Sequence, residues 1–300
     1  MSKEAKSTIR SEFAHVVRVF FRHKLGVVGL VMLIVFAGAA AFAPVVAPKD
    51  PYEMDLMSPF LPPGSPGYIL GTDNYGRDIL SRLIHGSRIS LLIGIVVVSI
   101  ATVIGSILGL VAGYYGGWVD NLVMRLVEVF YSFPFLILVI GVMAILGPSI
   151  FNVMLVLGVV SWPLYARLVR AQVMALKSED FVKAASALGC SDARIMFRHI
   201  LPNVLTPVIV SATLGIPGAI LSSASLGFLG FGVQPPTPEW GAMVSEAKDF
   251  ILLNSNMIIW PGMCIFLVVL SFNFVGDALR DALDPRLDVV NEKDAGSVRY

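Results

Sequence analysis

The chain has 300 residues, of which 56% are hydrophobic and only 14% are charged. Soluble domains usually carry about 25% charged residues, so this composition excludes an ordinary soluble protein and indicates a membrane protein. The net charge of +1 argues against a nucleic-acid partner. The two cysteines, Cys190 and Cys264, and four scattered histidines provide neither a disulfide framework nor the ligand spacing of a metal site.

The N-terminal part of the chain predicts one membrane helix behind a basic segment. Residues 1–24 carry six lysines and arginines, and residues 25–47 form an uncharged run long enough to cross a bilayer. The alanine-rich stretch 39–43 is similar to a signal-peptide cleavage site. Because the basic region is long and the apolar run exceeds a typical signal core, we predict an uncleaved first span that starts in the cytoplasm.

Residues 48–88 are rich in proline and glycine, which predicts a loop that ends in a short helix. Asp73, Arg77, Asp78 and Arg82 are spaced so that some of them can pair along that helix. A solvated surface helix is the simplest interpretation of this pattern.

Five further membrane spans are predicted by apolar runs over residues 89–113, 122–146, 150–173, 204–230 and 257–276. Along and just after the second span, Gly105, Gly109, Gly113 and Gly117 recur every fourth residue, which favours close packing of another helix rather than a conduit. Arg125 and Glu128 lie near the start of the third span, where their spacing predicts a structural ion pair.

The fifth span combines prolines, glycines and hydroxyl side chains. Proline and glycine at membrane depth free backbone polar groups, and this is tolerated where they face protein or a wet cavity. We therefore predict that this span lines a path through the membrane, a kinked packing helix being the alternative. The candidate lining residues are Ser211, Thr213, Pro217, Ser222, Ser223 and Ser225.

Residues 179–202 form a charged, amphipathic stretch between two apolar spans. Glu179 and Asp180 are acidic residues of the kind that favour a helix N-terminus. One helical face follows, made by Phe181, Ala184, Ala185 and Leu188.

Gly189 is expected to end this first helix, and Ser191 can cap a second short helix that stops before Pro202. Ile195, Met196, Phe197 and Ile200 are the apolar residues of that second helix. Two short helices joined at a glycine make a rigid unit suited to docking into a partner's groove.

Ala184-Ala185, followed by Gly189 and by Leu201-Pro202, resembles the cytoplasmic EAA loop of permease subunits in ABC-type importers. Lys183 replaces the usual glutamate of that pattern, and His199 stands where isoleucine is common. The resemblance implies that the loop seats in a cleft of a separate ATPase. The implied coupling residues are Glu179, Asp180, Phe181, Lys183, Ala184, Ala185, Leu188, Gly189, Leu201 and Pro202.

Three further stretches resemble the dipeptide/oligopeptide/nickel branch of these permeases. They are GTDNYGRDILSR within 70–88, QPPTPEWGAM at 234–243 and GDALRDALDPR at 276–286. The resemblance implies an all-α protein of the type I ABC importer permease fold, with six transmembrane helices and both termini in the cytoplasm. It also implies one half of a path for di- or oligopeptides in a bacterial or archaeal cytoplasmic membrane.

The implied organisation has five parts: a cytoplasmic segment 1–24, a first span 25–47, an extracytoplasmic loop 48–88, a five-helix core 89–276 that includes loop 179–202, and a cytoplasmic tail 277–300. The basic residues agree with this orientation, because only Lys49, Arg77, Arg82, Arg88 and Lys248 of the 22 fall on the predicted outer side.

The implied partners are a homologous permease subunit, two ATP-binding subunits that hold ATP and Mg²⁺, and a substrate-binding protein docked on 49–85 and 231–256. The chain has no phosphate-binding G-x-x-x-x-G-K-[ST] motif and no common hydrolase motif. We therefore expect a transport subunit without a cofactor of its own, and not an enzyme.

Two other function classes predict different features. A secondary transporter or channel that works alone should place ionisable residues at mid-span, and six spans are few for a carrier built from inverted repeats. An intramembrane enzyme should carry paired aspartates or a Ser/His pair at depth. The predicted spans contain neither arrangement.

Overall fold

Helices form the regular structure of residues 16–283, the part of the chain that the computed structural model describes. Within it, two isolated β-bridges, Ser65–Tyr68 and Thr72–Asp78, are the extended pairings. The main helices are α1 (Lys24–Ala41), α2 (Ile79–Tyr115), α3 (Gly117–Tyr131), α4 (Phe135–Leu146), α5 (Ile150–Lys177), α6 (Asp180–Ala187), α7 (Leu201–Phe228), α8 (Trp240–Ala247) and α9 (Asn256–Leu283). The all-α prediction is confirmed.

The predicted six spans correspond to five long helices and one bent pair. The five are α1, α2, α5, the continuous segment Asp192–Phe228 that contains α7, and α9, each long and apolar enough to cross a membrane. Helices α3 and α4 meet at an angle of 87° and count as a sixth span if the pair is taken as one.

The third span is therefore not the single helix predicted over 122–146. It breaks at Ser132 and Phe133, directly before Pro134. A proline lacks the backbone N–H of a helix interior and disfavours the helical region for the residue before it. With 12 residues, α4 rises only about 18 Å, too little to cross a bilayer alone.

The predicted short helix in 48–88 and the span over 89–113 are one helix, α2, of 37 residues. Asp78 caps it by accepting a hydrogen bond from the backbone N–H of Ser81 at 2.8 Å. No residue between Ile79 and Tyr115 is a proline, so the boundary predicted at residue 88 has no physical cause.

Pro202 does not end the second helix of loop 179–202, contrary to prediction. Residues Asp192–Arg194 lead into a π-helical turn, Ile195–Ile200, which continues directly into α7. The wider turn closes with the N–H of Leu201 bonded to the carbonyl of Met196. A π-turn of this kind accommodates the missing N–H of the proline without breaking the helix axis.

The last span also extends beyond its predicted end. Helix α9 runs to Leu283, so the first residues of the predicted tail 277–300 belong to it. Residues 1–15 of the predicted N-terminal segment, and Asp284 and Arg286 of the tail, lie outside the described residues.

The core of the bundle is the packing of α2 against α5. Cβ atoms built on Gly105, Gly109 and Gly113 would lie 2.6, 2.5 and 2.9 Å from carbonyl oxygens of α5. Side chains at these positions would collide with backbone, so the glycine seam allows the close approach of the two helices. The predicted packing role is confirmed for these three glycines, whereas Gly117 begins α3 and a Cβ there would meet no atom within 4 Å.

Candidate functional site

Loop 179–202 lies at the end of the bundle where α2 ends and α5 ends. Helix α6 starts after Glu179, whose backbone is extended, and stops before Gly189. Gly189 has φ +75°, the left-handed conformation that favours glycine, and a Cβ there would meet no atom within 4 Å. The predicted glycine corner is confirmed, and its requirement is conformational rather than steric.

The predicted apolar face of α6 is divided between two environments. Ala185 is only 6% exposed and packs with Val182 inside this chain. Both belong to an apolar cluster that joins the loop to the ends of α2 and α5: Leu110, Tyr114, Val169, Val173, Val182, Ala185, Ile195, Met196, Ile200, Val204 and Val208. The prediction that Ala185 faces a partner is therefore wrong; Ala185 holds the loop onto the bundle.

Three large apolar side chains of the loop remain exposed. Leu188 is 85% exposed, Phe197 is 58% exposed and Phe181 is 42% exposed. Ala184 is exposed as well, one turn before Leu188. We refer to Phe181, Ala184 and Leu188 as the exposed face of α6. Burying such side chains is favourable, so this face is suited to contact with another protein.

The remaining predicted coupling residues contribute little internal structure. Lys183 Nζ lies 3.3 Å from Asp180 Oδ1, and both side chains are exposed. Glu179 makes no side-chain capping bond, and neither does Ser191, whose predicted cap is absent. Leu201 is half-buried and Pro202 is exposed.

One polar contact attaches loop 179–202 to α2, and a second one joins α2 to the end of α5 beside it. The hydroxyl of Tyr114 donates to the carboxylate of Asp192 at 2.8 Å, and Lys177 Nζ donates to the carbonyl of Tyr114 at 2.5 Å. Nearby, Arg170 forms a two-point ion pair with Asp120. No sequence pattern predicts these contacts, because they join residues 50 to 78 positions apart.

Two cavities lie between α5 and α7. The larger, of about 760 Å³, is lined by Leu164, Leu168, Gln172, Thr206, Pro207, Val210, Ser211, Leu214, Gly215, Arg280 and Leu283. The smaller, of about 320 Å³, includes Ser161, Tyr165, Gly218 and Ser222. Leu164, Leu214 and Gly215 line both cavities, which are therefore neighbours along α7.

Only some of the predicted lining residues of the fifth span face the two cavities. Ser211 lines the larger cavity and Ser222 the smaller one. The other four do not line these cavities. Thr213 and Ser225 donate to the carbonyls of Ile209 and Leu221, while Pro217 and Ser223 are buried.

At the opposite end of α2, four charged side chains form a buried network. Arg77 is 1% exposed and Arg82 is 2% exposed. Asp73 and Glu246 each accept from both guanidinium groups, with the Arg77 contacts at 2.6 and 2.9 Å. The solvated interpretation of this stretch is wrong, and Asp78 caps α2 instead of pairing with an arginine. Glu246 was missed, because it lies 164 positions after Arg82.

The same end is held by the segment around α8. Glu239 caps α8 by accepting from the N–H of Ala242 at 2.8 Å. Burial raises the pKa of its carboxyl, whereas the hydrogen bonds that the carboxylate accepts lower that pKa by a smaller amount. Trp240 donates from Nε1 to the carbonyl of Leu83 at 3.1 Å. We call residues 48–78 and 231–255 together the cap, since Arg77 and Arg82 join the two segments through Glu246.

Exposed residues of the third span form the ion pair predicted there. Arg125 Nη1 lies 3.0 Å from Glu128 Oε2, and both side chains are exposed. The prediction of a structural pair is confirmed. Among the described residues, no group of three or more histidine, cysteine, aspartate or glutamate side chains could hold a metal ion.

Comparisons with known proteins agree with this architecture. Residues 105–289 match the family described as binding-protein-dependent transport system inner membrane component. Residues 11–63 match the N-terminal TM domain of oligopeptide transport permease C.

The chain is 46% identical to the dipeptide transport system permease protein DppC of Escherichia coli, over 96% of each chain. It is 41% identical to the glutathione transport system permease protein GsiD of Shigella boydii, over 93% of this chain and 92% of that protein. An inward-facing structure of the MetNI methionine ABC transporter superposes with a TM-score of 0.55, at 22% identity over 68% of this chain and 96% of that one, which shows a shared fold. The chain therefore belongs to the family of binding-protein-dependent transport system inner membrane components, as a permease subunit of the ABC importer type.

Proposed function

We propose that this chain is the transmembrane subunit of an ATP-driven, binding-protein-dependent importer of di- or oligopeptides. The names of its relatives support the peptide class, and one of them is named for glutathione, itself a small peptide. In this proposal the chain forms half of the path and a homologous permease subunit forms the other half. Two ATP-binding subunits bind ATP and Mg²⁺, and an extracytoplasmic binding protein delivers the substrate.

The exposed face of α6 is the observation that carries the proposal. Loop 179–202 is packed into the bundle through Val182 and Ala185, yet it leaves Phe181 and Leu188 exposed at its end. Side chains on lipid-facing spans need no protein partner, whereas these lie on a short helix between spans. An apolar surface on an ordered loop fits the groove of a separate ATPase subunit.

The orientation follows from that role. Loop 179–202 then faces the cytoplasm, where ATP is available, and the cap at the other end of α2 faces the outside. The membrane is the cytoplasmic membrane of a bacterium or archaeon, and both termini are cytoplasmic. The distribution of lysine and arginine supports this assignment.

Co-purification of the ATPase subunits tests the docking role. We expect Leu188→Asp to abolish co-purification, because it places a charge in an apolar contact. Ser186→Asp is the matched control, since Ser186 is exposed and lies two positions away, on a different side of α6. Equal retention of the ATPases by both variants would contradict the proposal.

Cysteine labelling tests the path. In a chain with Cys190 and Cys264 replaced by serine, we expect Ser222→Cys to react with small aqueous thiol reagents and to change its rate when ATP is trapped. Ser223→Cys is the matched control, because Ser223 is buried and lines neither cavity. If Ser222→Cys stays unreactive in every state, α7 is a packing helix instead.

A further inference from the structure

Tyr114 occupies a junction between α2 and loop 179–202. Its ring belongs to the apolar cluster that holds the loop, and it is 9% exposed. Lys177, at the end of α5, donates to its backbone carbonyl at 2.5 Å. The ring and the backbone of Tyr114 are thereby held by two different elements.

The hydroxyl of Tyr114 makes the polar contact to the loop. It donates to Oδ1 of Asp192 at 2.8 Å. Asp192 is the first residue of the helical segment that follows the Gly189 corner and continues through the π-turn into α7. A hydrogen bond to a carboxylate is stronger than one between neutral groups, and here it joins the loop to α2 directly.

Helix α2 can carry a displacement from this junction over a long distance. Its 37 residues rise about 55 Å, and its glycine seam packs it tightly against α5. At the far end Arg82 and the backbone of Leu83 bind it to Glu246 and Trp240 of the cap. The Tyr114–Asp192 hydrogen bond therefore provides, beside the apolar cluster, a direct connection through which a movement of the loop can reach α2 and the cap.

We propose that Tyr114 and Asp192 are positioning residues that fasten the second half of loop 179–202 to α2, so that ATPase-driven movement of the loop is transmitted to the cap. This inference rests on the proposed docking of the ATPase on the loop. In this inference the Tyr114–Asp192 hydrogen bond transmits the movement. Transmission is a step separate from docking, because neither residue belongs to the exposed face of α6.

The test compares Tyr114→Phe with Tyr115→Phe in the assembled importer in proteoliposomes. Tyr114→Phe keeps the buried ring and removes the hydroxyl, whereas Tyr115 is its 50% exposed neighbour in the chain. We expect the ATPases to remain bound in both variants. Substrate transported per ATP hydrolysed should fall about tenfold or more in Tyr114→Phe, which corresponds to losing one hydrogen bond to a charged group. Tyr115→Phe should match the wild type.

Asp192→Ala keeps the inference testable if Tyr114→Phe does not assemble, because Asp192 is exposed. It removes the acceptor of the hydrogen bond, so it should lower the same ratio, and the double variant should be no worse than either single variant. An unchanged ratio in Tyr114→Phe or Asp192→Ala, or additive losses in the double variant, would overturn the inference. Loss of the ATPases from the wild-type complex would instead contradict the proposed function.

Discussion

Helix α2 is held at its first residues by largely buried charges, and at its last residues by apolar side chains and two hydrogen bonds. Where α2 meets the cap, Arg82 of α2 and Asp73, Arg77 and Glu246 of the cap compensate one another in a largely buried network. At loop 179–202, Val182 and Ala185 are buried while Phe181 and Leu188 remain exposed.

The two ends of α2 are therefore suited to different roles. A buried ion network is sensitive to the loss of any member, so it holds the cap segments in one arrangement. Apolar packing tolerates small rearrangements more readily, and the exposed face of α6 leaves surface for a partner. Substitutions in the ion network are therefore expected to have larger effects than substitutions on the exposed surface of the loop.

The largest effect is expected for Glu246→Ala. The substitution leaves Arg77 and Arg82 buried, each without one of its two carboxylate partners, and removing one member of a buried ion network costs about 3–5 kcal/mol. The melting temperature in detergent should therefore fall strongly. Asp249→Ala, at an exposed position three residues later, is the control and should change it little. Similar melting temperatures for the two variants would show that the network does not hold the cap.

Ala185→Asp and Ala184→Asp separate packing from docking on neighbouring residues. Ala185 is buried within this chain, so an unpaired carboxylate there should destabilise it by about 2–3 kcal/mol or more, measured as a lower melting temperature. Ala184 is exposed, so its substitution should leave the melting temperature nearly unchanged and instead weaken co-purification of the ATPases. The reverse outcome would show that Ala184 packs against the bundle and that Ala185 faces the partner.

Gly189→Val tests the corner between the two halves of the loop. A β-branched residue in the left-handed region costs roughly 1–2 kcal/mol, although a Cβ meets no neighbouring atom here. We expect transport to become uncoupled from ATP hydrolysis, or the ATPases to be lost, while the chain still inserts in the membrane. Gly189→Asn should be milder, because asparagine tolerates this conformation better. Wild-type transport by Gly189→Val would show that the corner is not needed for coupling.

The smallest effect is expected for Lys183→Ala. Lys183 and Asp180 form an exposed pair at 3.3 Å, and such pairs contribute about 0–1 kcal/mol. Both the melting temperature and ATPase co-purification should stay close to the wild type. Release of the ATPases by this variant would mean that charge, and not the exposed face of α6, provides the docking energy.

The sequence by itself determined the features that depend on local chemistry. Apolar runs of bilayer length predicted the spans, and the i+4 repeat of Gly105, Gly109 and Gly113 predicted the seam between α2 and α5. Gly189 was predicted as a corner because few other residues adopt its conformation. The EAA-like loop and the three peptide-permease stretches predicted the family that the comparisons confirm.

Tertiary structure alone decided which apolar residues face inward and which charges meet. Val182 and Ala185 lie beside Phe181 and Leu188 on one short helix, and periodicity cannot say which side meets the bundle. Arg82 meets Glu246, and Tyr114 meets Asp192, across separations of 164 and 78 residues. Such pairings are determined by how the long helices pack, since no local pattern in a single sequence encodes the partner of a buried charge.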